Sequence, residues 1–253
     1  MKDRVDKVLV TLGMASTRSQ ATQLVKEGVV FYKNTLVKKS SFLVDGEELE
    51  VRKETLFVGR GAHKIEGALK YFDIDPTDMV VADVGASTGG FTDYILKNGA
   101  KKVYAIDVGH GQLALSLRED SRVENMEGIN IRHELELDEL VDLAVVDLSY
   151  ISLKLTLDTI ISLVKEDGKA VVLVKPQFEV GKENIGKGGI VKDEKAKLNS
   201  LESLYDWCEE KGYAIKNATI SPIKGKTGNT EYFFYFDKTL NEHLFKRDDL
   251  AKI

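Results

Sequence analysis

Apolar positions along this chain come in two regimes. Over the first fifty or so residues they fall into short groups broken by polar turns. RVDKVLVTL predicts a helix from Arg4 to Leu12 stopped by Gly13; a second helix opens near Ser16 or Thr17 and ends at Gly28; VVFY, TLVK and LEVR read as short strands. Beyond residue 78 the apolar positions form nearly continuous runs: Met79 to Ala82, the stretch ending at Asp107, a shorter one ending at Glu127 to Asn130, LVDLAVV ending at Asp147, and AVVLV ending at Lys175 and Pro176. Runs of that kind, alternating with helical stretches such as Phe91 to Asn98, predict strands buried on both faces. The expectation is an α/β sheet with helices on both faces behind a small N-terminal α+β domain. Its divisions are 1–55, a linker at 56–62, a main domain at 63–240 and a charged tail at 241–253.

Chemistry concentrates at the ends of these runs. Val80 to Asp93, VVADVGASTGGFTD, reads as a strand, a glycine-rich turn and a helix start, with Thr92 or Asp93 expected to cap the helix. Its D-x-G-x-x-x-G-G spacing departs from the dinucleotide fingerprint, and Asp83 beside the turn would repel a pyrophosphate. A carboxylate there suits a ligand with positive groups, and S-adenosylmethionine carries a sulfonium and an amino group. Asp83, Gly85, Ser87, Gly89, Gly90 and Phe91 are therefore the candidate cofactor loop. Asp107, 24 residues beyond Asp83 at the tip of the next strand, is placed to accept both hydroxyls of a ribose. Glu127 and Asn130, at the end of the third strand, fall where an adenine is expected.

Charge modifies this picture. The chain carries a net −5, yet residues 1–60 hold 11 Lys and Arg against 8 Asp and Glu, so the basic share sits in front. GKENIGKGGIVK reads as a mobile loop whose Lys182, Lys187 and Lys192 are placed to hold phosphates. The one cysteine, Cys208, reads as core, and the four histidines lack ligand spacing, so no metal is expected. No apolar run is long enough to span a membrane and MKDRVDKVLV lacks a secretory pattern, so a cytoplasmic location is expected.

The front segment, R-x-D-x-x-L followed by T-R-S-Q-A-x-x-L-V-K-E-G-x-V, resembles the S4-like RNA-binding domain of ribosomal proteins, pseudouridine synthases and tyrosyl-tRNA synthetases. The resemblance implies that Arg4, Lys7, Arg18, Ser19, Gln20, Lys26 and Lys33 face RNA. It departs from the family at Asn34-Thr35, where a glycine usually follows the asparagine.

From about Arg4 to Phe236 the chain resembles the TlyA (hemolysin A) family of ribosomal RNA 2′-O-ribose methyltransferases, whose catalytic domain is similar to FtsJ. The motifs are FVGRGAHKIEGAL, DVGASTGGFTD, AIDVGHGQL, VVDLSYISL, LVKPQFE and GNTEYFFYF. This implies a Rossmann-like class I methyltransferase sheet, S-adenosylmethionine as cofactor, and ribosomal RNA or ribosomal subunits as partner, with cytidine the modified nucleotide and no membrane role. It also implies an RNA contact at Arg60 and a catalytic tetrad of Lys64, Asp147, Lys175 and Glu231.

A ribose hydroxyl is a poor nucleophile, so a base beside it helps methyl transfer. Two lysines crowded in a dry crevice would depress each other's pKa, leaving Lys175 able to take the proton while Asp147 and Glu231 position it and Lys64 orients the hydroxyl. The competing classes are a noncatalytic ribosome-assembly factor, disfavoured by four converging ionisable groups, and a membrane-active hemolysin, disfavoured by the absence of an apolar span. Gly59 and Gly61 in the linker predict that RNA docking improves cofactor binding.

Overall fold

The short apolar groups of the front segment can bury one face each, and they do so around a single small core. The computed structural model describes residues 2–26, 28–33, 35–51 and 57–253, which form two units, Met1–Leu56 and Phe57–Ile253. In the first, β1 (Asp3–Arg4) runs into α1 (Val5–Thr11), followed by α2 (Arg18–Lys26), β2 (Val30–Tyr32), β3 (Thr35–Leu36), β4 (Leu43–Val44) and β5 (Leu49–Val51). Val5, Leu9, Ala21, Leu24, Val30, Val44 and Leu49 make its core. Thr17 opens α2, its Oγ1 accepting the Gln20 amide at 3.1 Å.

Helix α1 begins one residue later than expected because Arg4 pairs with Leu43 in a β1–β4 ribbon. Strands of two residues are too short to leave a periodic trace. Asn34 and residues 52–56, which include the first residue of the expected 56–62 linker, lie outside the described residues; beside Asn34, Lys33 adopts the left-handed conformation (φ 50°).

The second unit comprises α3 (Gly61–Phe72), β6 (Val80–Val84), α4 (Gly90–Lys97), β7 (Lys102–Asp107), α5 (Leu115–Arg118), β8 (Val123–Glu127), β9 (Val141–Val146), α6 (Leu157–Ser162), β10 (Val164–Val174), α7 (Pro176–Glu179), α8 (Glu194–Lys211), β11 (Ile215–Ile220) and β12 (Tyr232–Asp237). One seven-stranded sheet has the order β11-β12-β10-β9-β6-β7-β8. The five strands from β8 to β10 are parallel, and β12 lies antiparallel between β10 and β11. Hydrophobic periodicity carries no strand direction, so this reversal is a structural finding.

The apolar runs alternate between two cores. Val80, Ala82, Val84, Ala144 and Val146 pack with Leu157, Ile160, Leu201 and Leu204 of α6 and α8. Val81, Val103, Ala105, Leu143 and Val145 pack with Ile65, Leu69, Phe91 and Ile95 of α3 and α4. The segment after β12 is not a free charged tail. Leu250 is buried, the Tyr205 hydroxyl donates to the Phe245 carbonyl at 2.9 Å, and Arg247 pairs with Glu202 and Asp206 of α8.

Candidate active site

In a doubly wound sheet, residues just past the carboxyl ends of the central strands face a common crevice. Here that crevice is a cleft of about 500 Å³ lined by Gly85, Ser87, Asp107, Val108, Asn130, Asp147 and their neighbours. Gly85 allows the β6 and β9 ends to meet: its φ is +89°, and a Cβ there would sit 2.6 Å from the Asp147 carbonyl oxygen. Gly89, also left-handed, leaves no room for a side chain against Leu117. Ser87 turns the loop so that its amide donates to Asp107 Oδ2 at 2.8 Å, while Gly109 N donates to Oδ1 at 2.7 Å. Each Asp107 oxygen keeps a second lone pair for a ligand.

Two expected cofactor contacts are built differently. Asp83 shares the strand face of Val81, so it points at α4 instead of the cleft. It is fully buried, its Oδ2 accepts from Thr92 N at 2.8 Å and Thr92 Oγ1 at 2.6 Å, and burial pushes its carboxyl up to about 7. Asp83 thus holds the start of α4, the role expected of Thr92 or Asp93; Asp93 instead accepts from Val58 N at 2.9 Å and pairs with Lys97 at 3.0 Å.

Glu127 also lies off the cleft lining. It accepts from the amides of Gly111 and Gln112, both at 2.9 Å, and of Leu113 at 3.3 Å, and these bonds, led by that from Gly111, hold its carboxyl down at about 2. It braces the loop after β7, while Asn130 does line the cleft. Gly90 and Phe91 border a smaller cavity of about 140 Å³ together with Gly59, Arg60, Gly61, Gly85 and Asp147. Arg60, expected on the RNA side, therefore lies beside the glycine loop, its Nη2 donating to the Lys224 carbonyl at 3.3 Å.

The tetrad converges because of strand register. Asp147 is one residue past β9 and Lys175 one past β10, and the antiparallel pairing of Val174 with Tyr232 sets Glu231 across from Lys175. Lys64, in the first turn of α3, is buried against them. Lys175 Nζ lies 2.5 Å from Asp147 Oδ1, and Lys64 Nζ lies 3.5 Å from Asp147 Oδ2 and 2.7 Å from Glu231 Oε2. The Asp147 carboxylate therefore bridges the two lysines.

Three neighbours escaped the sequence reading. Lys175 Nζ also donates to Ser149 Oγ at 2.8 Å. Tyr150 lines the cleft mouth, is 92% exposed, has φ 63°, and has its ring 5.1 Å from that of Phe178. Glu179, its carboxyl raised by burial, accepts from Ser152 Oγ at 2.6 Å and Leu153 N at 2.8 Å, fixing the loop that carries both. The signal for Ser149 and Tyr150 was their place directly after Asp147 in VVDLSYISL.

The loop lysines Lys182, Lys187 and Lys192 are exposed. Asn229 ties the end of their loop to the approach of β12, accepting from Val191 N at 3.0 Å and donating to the Gly189 carbonyl at 2.8 Å. In the first unit, Arg4 and Arg18 both pair with Asp6, Lys7 lies 3.4 Å from Asp3, and Lys33 lies 4.0 Å from Glu48. Ser19 and Lys26 are exposed on α2. The Gln20 amide oxygen is taken up by Ser16 N and Oγ, both at 2.7 Å. Among the described residues, no cluster of His, Cys, Asp and Glu is placed to hold a metal, and no helix is long and apolar enough to cross a membrane.

Comparison with known proteins agrees with this architecture. Residues 57–238 match the FtsJ-like methyltransferase family and residues 3–50 the S4 domain. The chain is 42% identical over 237 residues to the 16S/23S rRNA (cytidine-2′-O)-methyltransferase TlyA of Mycobacterium tuberculosis, covering 92% of this chain and 88% of the relative. It is 39% identical over 198 residues to the 23S rRNA (cytidine-2′-O)-methyltransferase TlyA of Campylobacter jejuni, covering 78% and 76%. A solved structure described as a hemolysin from Streptococcus thermophilus superposes with a TM-score of 0.76 at 38% identity, covering 100% of this chain and 94% of that one. With an S4 domain ahead of an FtsJ-like methyltransferase domain, and with this identity over most of its length, the chain belongs to the TlyA (hemolysin A) family of methyltransferases.

Proposed function

We propose that this protein transfers a methyl group from S-adenosylmethionine to the ribose 2′-hydroxyl of a cytidine in ribosomal RNA. The observation that carries the reading is the strand register that gathers Lys64, Asp147, Lys175 and Glu231 beside a cleft whose Asp107 keeps lone pairs for a ribose. The names of the Mycobacterium and Campylobacter relatives supply the cytidine and the ribosomal RNA.

The residues present suit this cofactor. Asp107 would accept the ribose hydroxyls, and Val108, Ile129 and Ile131 flank Asn130 as an apolar slot for a purine with one polar group to read its edge. The smaller cavity sets Arg60, whose guanidinium suits a carboxylate, beside Gly59, Gly85 and Gly90, whose backbones allow a ligand to approach closely. When bound, S-adenosylmethionine supplies an electrophilic methyl on a sulfonium.

The chain's own residues handle the acceptor. Lys175, once its ammonium has passed a proton to solvent, takes the 2′-hydroxyl proton on Nζ, and Asp147, 2.5 Å away, stabilises the ammonium that is regenerated. Glu231 holds Lys64 in place to donate to the hydroxyl oxygen and orient it. Tyr150 presents a solvent-facing ring at the cleft mouth, a platform on which a base turned out of its stack can lie.

The test is transfer of radiolabelled methyl from S-adenosylmethionine to ribosomal subunits lacking the modification, with the product digested by alkali. Label in an alkali-resistant dinucleotide beginning with cytidine is the expected outcome. Label on a base, or none despite measurable cofactor binding, overturns the reading.

A further inference from the structure

Outside the cleft a second carboxylate joins two cations. Asp6, in the first turn of α1, has a side chain only 3% exposed. Its Oδ1 accepts from Arg4 Nε at 3.0 Å, and its Oδ2 accepts from Arg4 Nη2 at 3.1 Å and from Arg18 Nη2 at 2.7 Å. Burial pushes the Asp6 carboxyl up, but the hydrogen bonds and charges of Arg4 and Arg18 outweigh it and leave the group below its usual range.

The two arginines belong to different elements, one in β1 and the other opening α2, yet both are fixed to one acid. Their side chains remain 42% and 56% exposed. A guanidinium has five N–H groups. Arg4 uses two on Asp6 and Arg18 uses one, and neither side chain makes another hydrogen bond among the described residues. Most of their donors are thus left for an outside acceptor, the Arg4 fork held by two bonds and the Arg18 fork tethered by one.

We infer that Asp6 is the positioning residue of a paired-guanidinium clamp, formed by Arg4 and Arg18, that grips a phosphate of the RNA backbone. This rests on the reading of the protein as an RNA methyltransferase. A buried acid at an RNA-facing surface subtracts from the attraction to phosphate, so net charge alone argues against keeping it. Geometry argues for it: an unrestrained arginine must be ordered on binding, whereas one held by a bidentate carboxylate is ordered beforehand. An acidic peptide offers similar chemistry, but the S4 domain and the basic excess of the first 60 residues favour RNA.

The two views predict opposite signs. Labelled full-length protein is titrated with purified ribosomal subunits lacking the modification, at several salt concentrations. Asp6→Asn adds a positive charge, yet the clamp predicts about tenfold weaker binding and a shallower salt dependence, matching Arg4→Ala or Arg18→Ala, with little further loss when Asp6→Asn and Arg18→Ala are combined. Equal or tighter binding by Asp6→Asn overturns the clamp.

Arg4→Lys and Arg18→Lys alter only half-exposed side chains and keep the charge, so they answer the question even if Asp6→Asn unfolds the first unit. Several-fold weaker binding is expected of each, and full affinity in both overturns the proposal. Polyglutamate displacing the subunits as well as RNA does would overturn the assignment to RNA. If Arg4→Ala and Arg18→Ala both bind like wild type, the clamp fails while methyl transfer, assayed separately, still judges the function.

Discussion

The two units each contain one carboxylate shared by two cations, with burial reversed. In the cleft, Asp147 bridges Lys64 and Lys175, and it is the cations that are buried. In the S4 domain, Asp6 bridges Arg4 and Arg18, and it is the acid that is buried while the cations face solvent. Inward cations form a dry, ordered field that can act on a small reacting group. Outward cations on a buried anchor form a surface that grips an extended polyanion. The cation types agree, since lysine can exchange a proton at a reacting centre whereas arginine stays charged and presents a fork.

Removing the centre of the cleft should have the largest effect. Lys175→Ala is expected to slow single-turnover methyl transfer by about a thousandfold or more while leaving affinity for ribosomal subunits within a few-fold of wild type. A parallel loss of subunit affinity would erase the distinction between the two sites. Glu231→Gln leaves Lys64 buried without its nearest anion and should lower the same rate by about a hundredfold, with reduced thermal stability. A variant with normal turnover would remove Lys64 and Glu231 from the mechanism.

Gly85→Ala tests the wall of the cleft. The side chain would meet the Asp147 carbonyl from a left-handed backbone, a strain of about 1–3 kcal/mol. Calorimetry should show cofactor affinity reduced about tenfold or more, with subunit binding intact. Unchanged cofactor affinity would mean the β6–α4 loop does not form the site.

The smallest effect concerns Asp83. Its folded pKa of about 7 lies above its unfolded value of 3.8, so its contribution to stability is fully present below the unfolded value and is lost as pH rises toward about 7. The melting temperature of wild type should therefore fall more between pH 5 and 8 than that of Asp83→Asn, as differential scanning fluorimetry would read. Parallel curves would show that the carboxyl ionises freely in the fold.

The buried strands and the glycine loop were legible in the sequence because continuous apolar runs and left-handed turns require particular residue types. Period two put Asp83 on the face of Val81, but nothing local told which face carried the ligand, so an acid that holds a helix read like one that holds a cofactor. Asp147 and Lys175 were legible as the ends of buried runs, but the tetrad as a set entered through family resemblance: Lys64 comes from a helix, and Glu231 arrives only because β12 reverses direction, which no local pattern records. Asp6 was hidden similarly. R-x-D was visible as a motif, but the third partner, Arg18, arrives from another helix.

The measurement that bears most directly on the contrast between the sites takes Lys175→Ala and Arg18→Ala through one experiment with two readouts, methyl transfer at saturating subunits and subunit affinity. The reversed-burial account predicts that Lys175→Ala loses transfer and keeps affinity, and that Arg18→Ala loses affinity and keeps transfer once saturated. Both variants losing the same quantity, or each losing the other's, would contradict it.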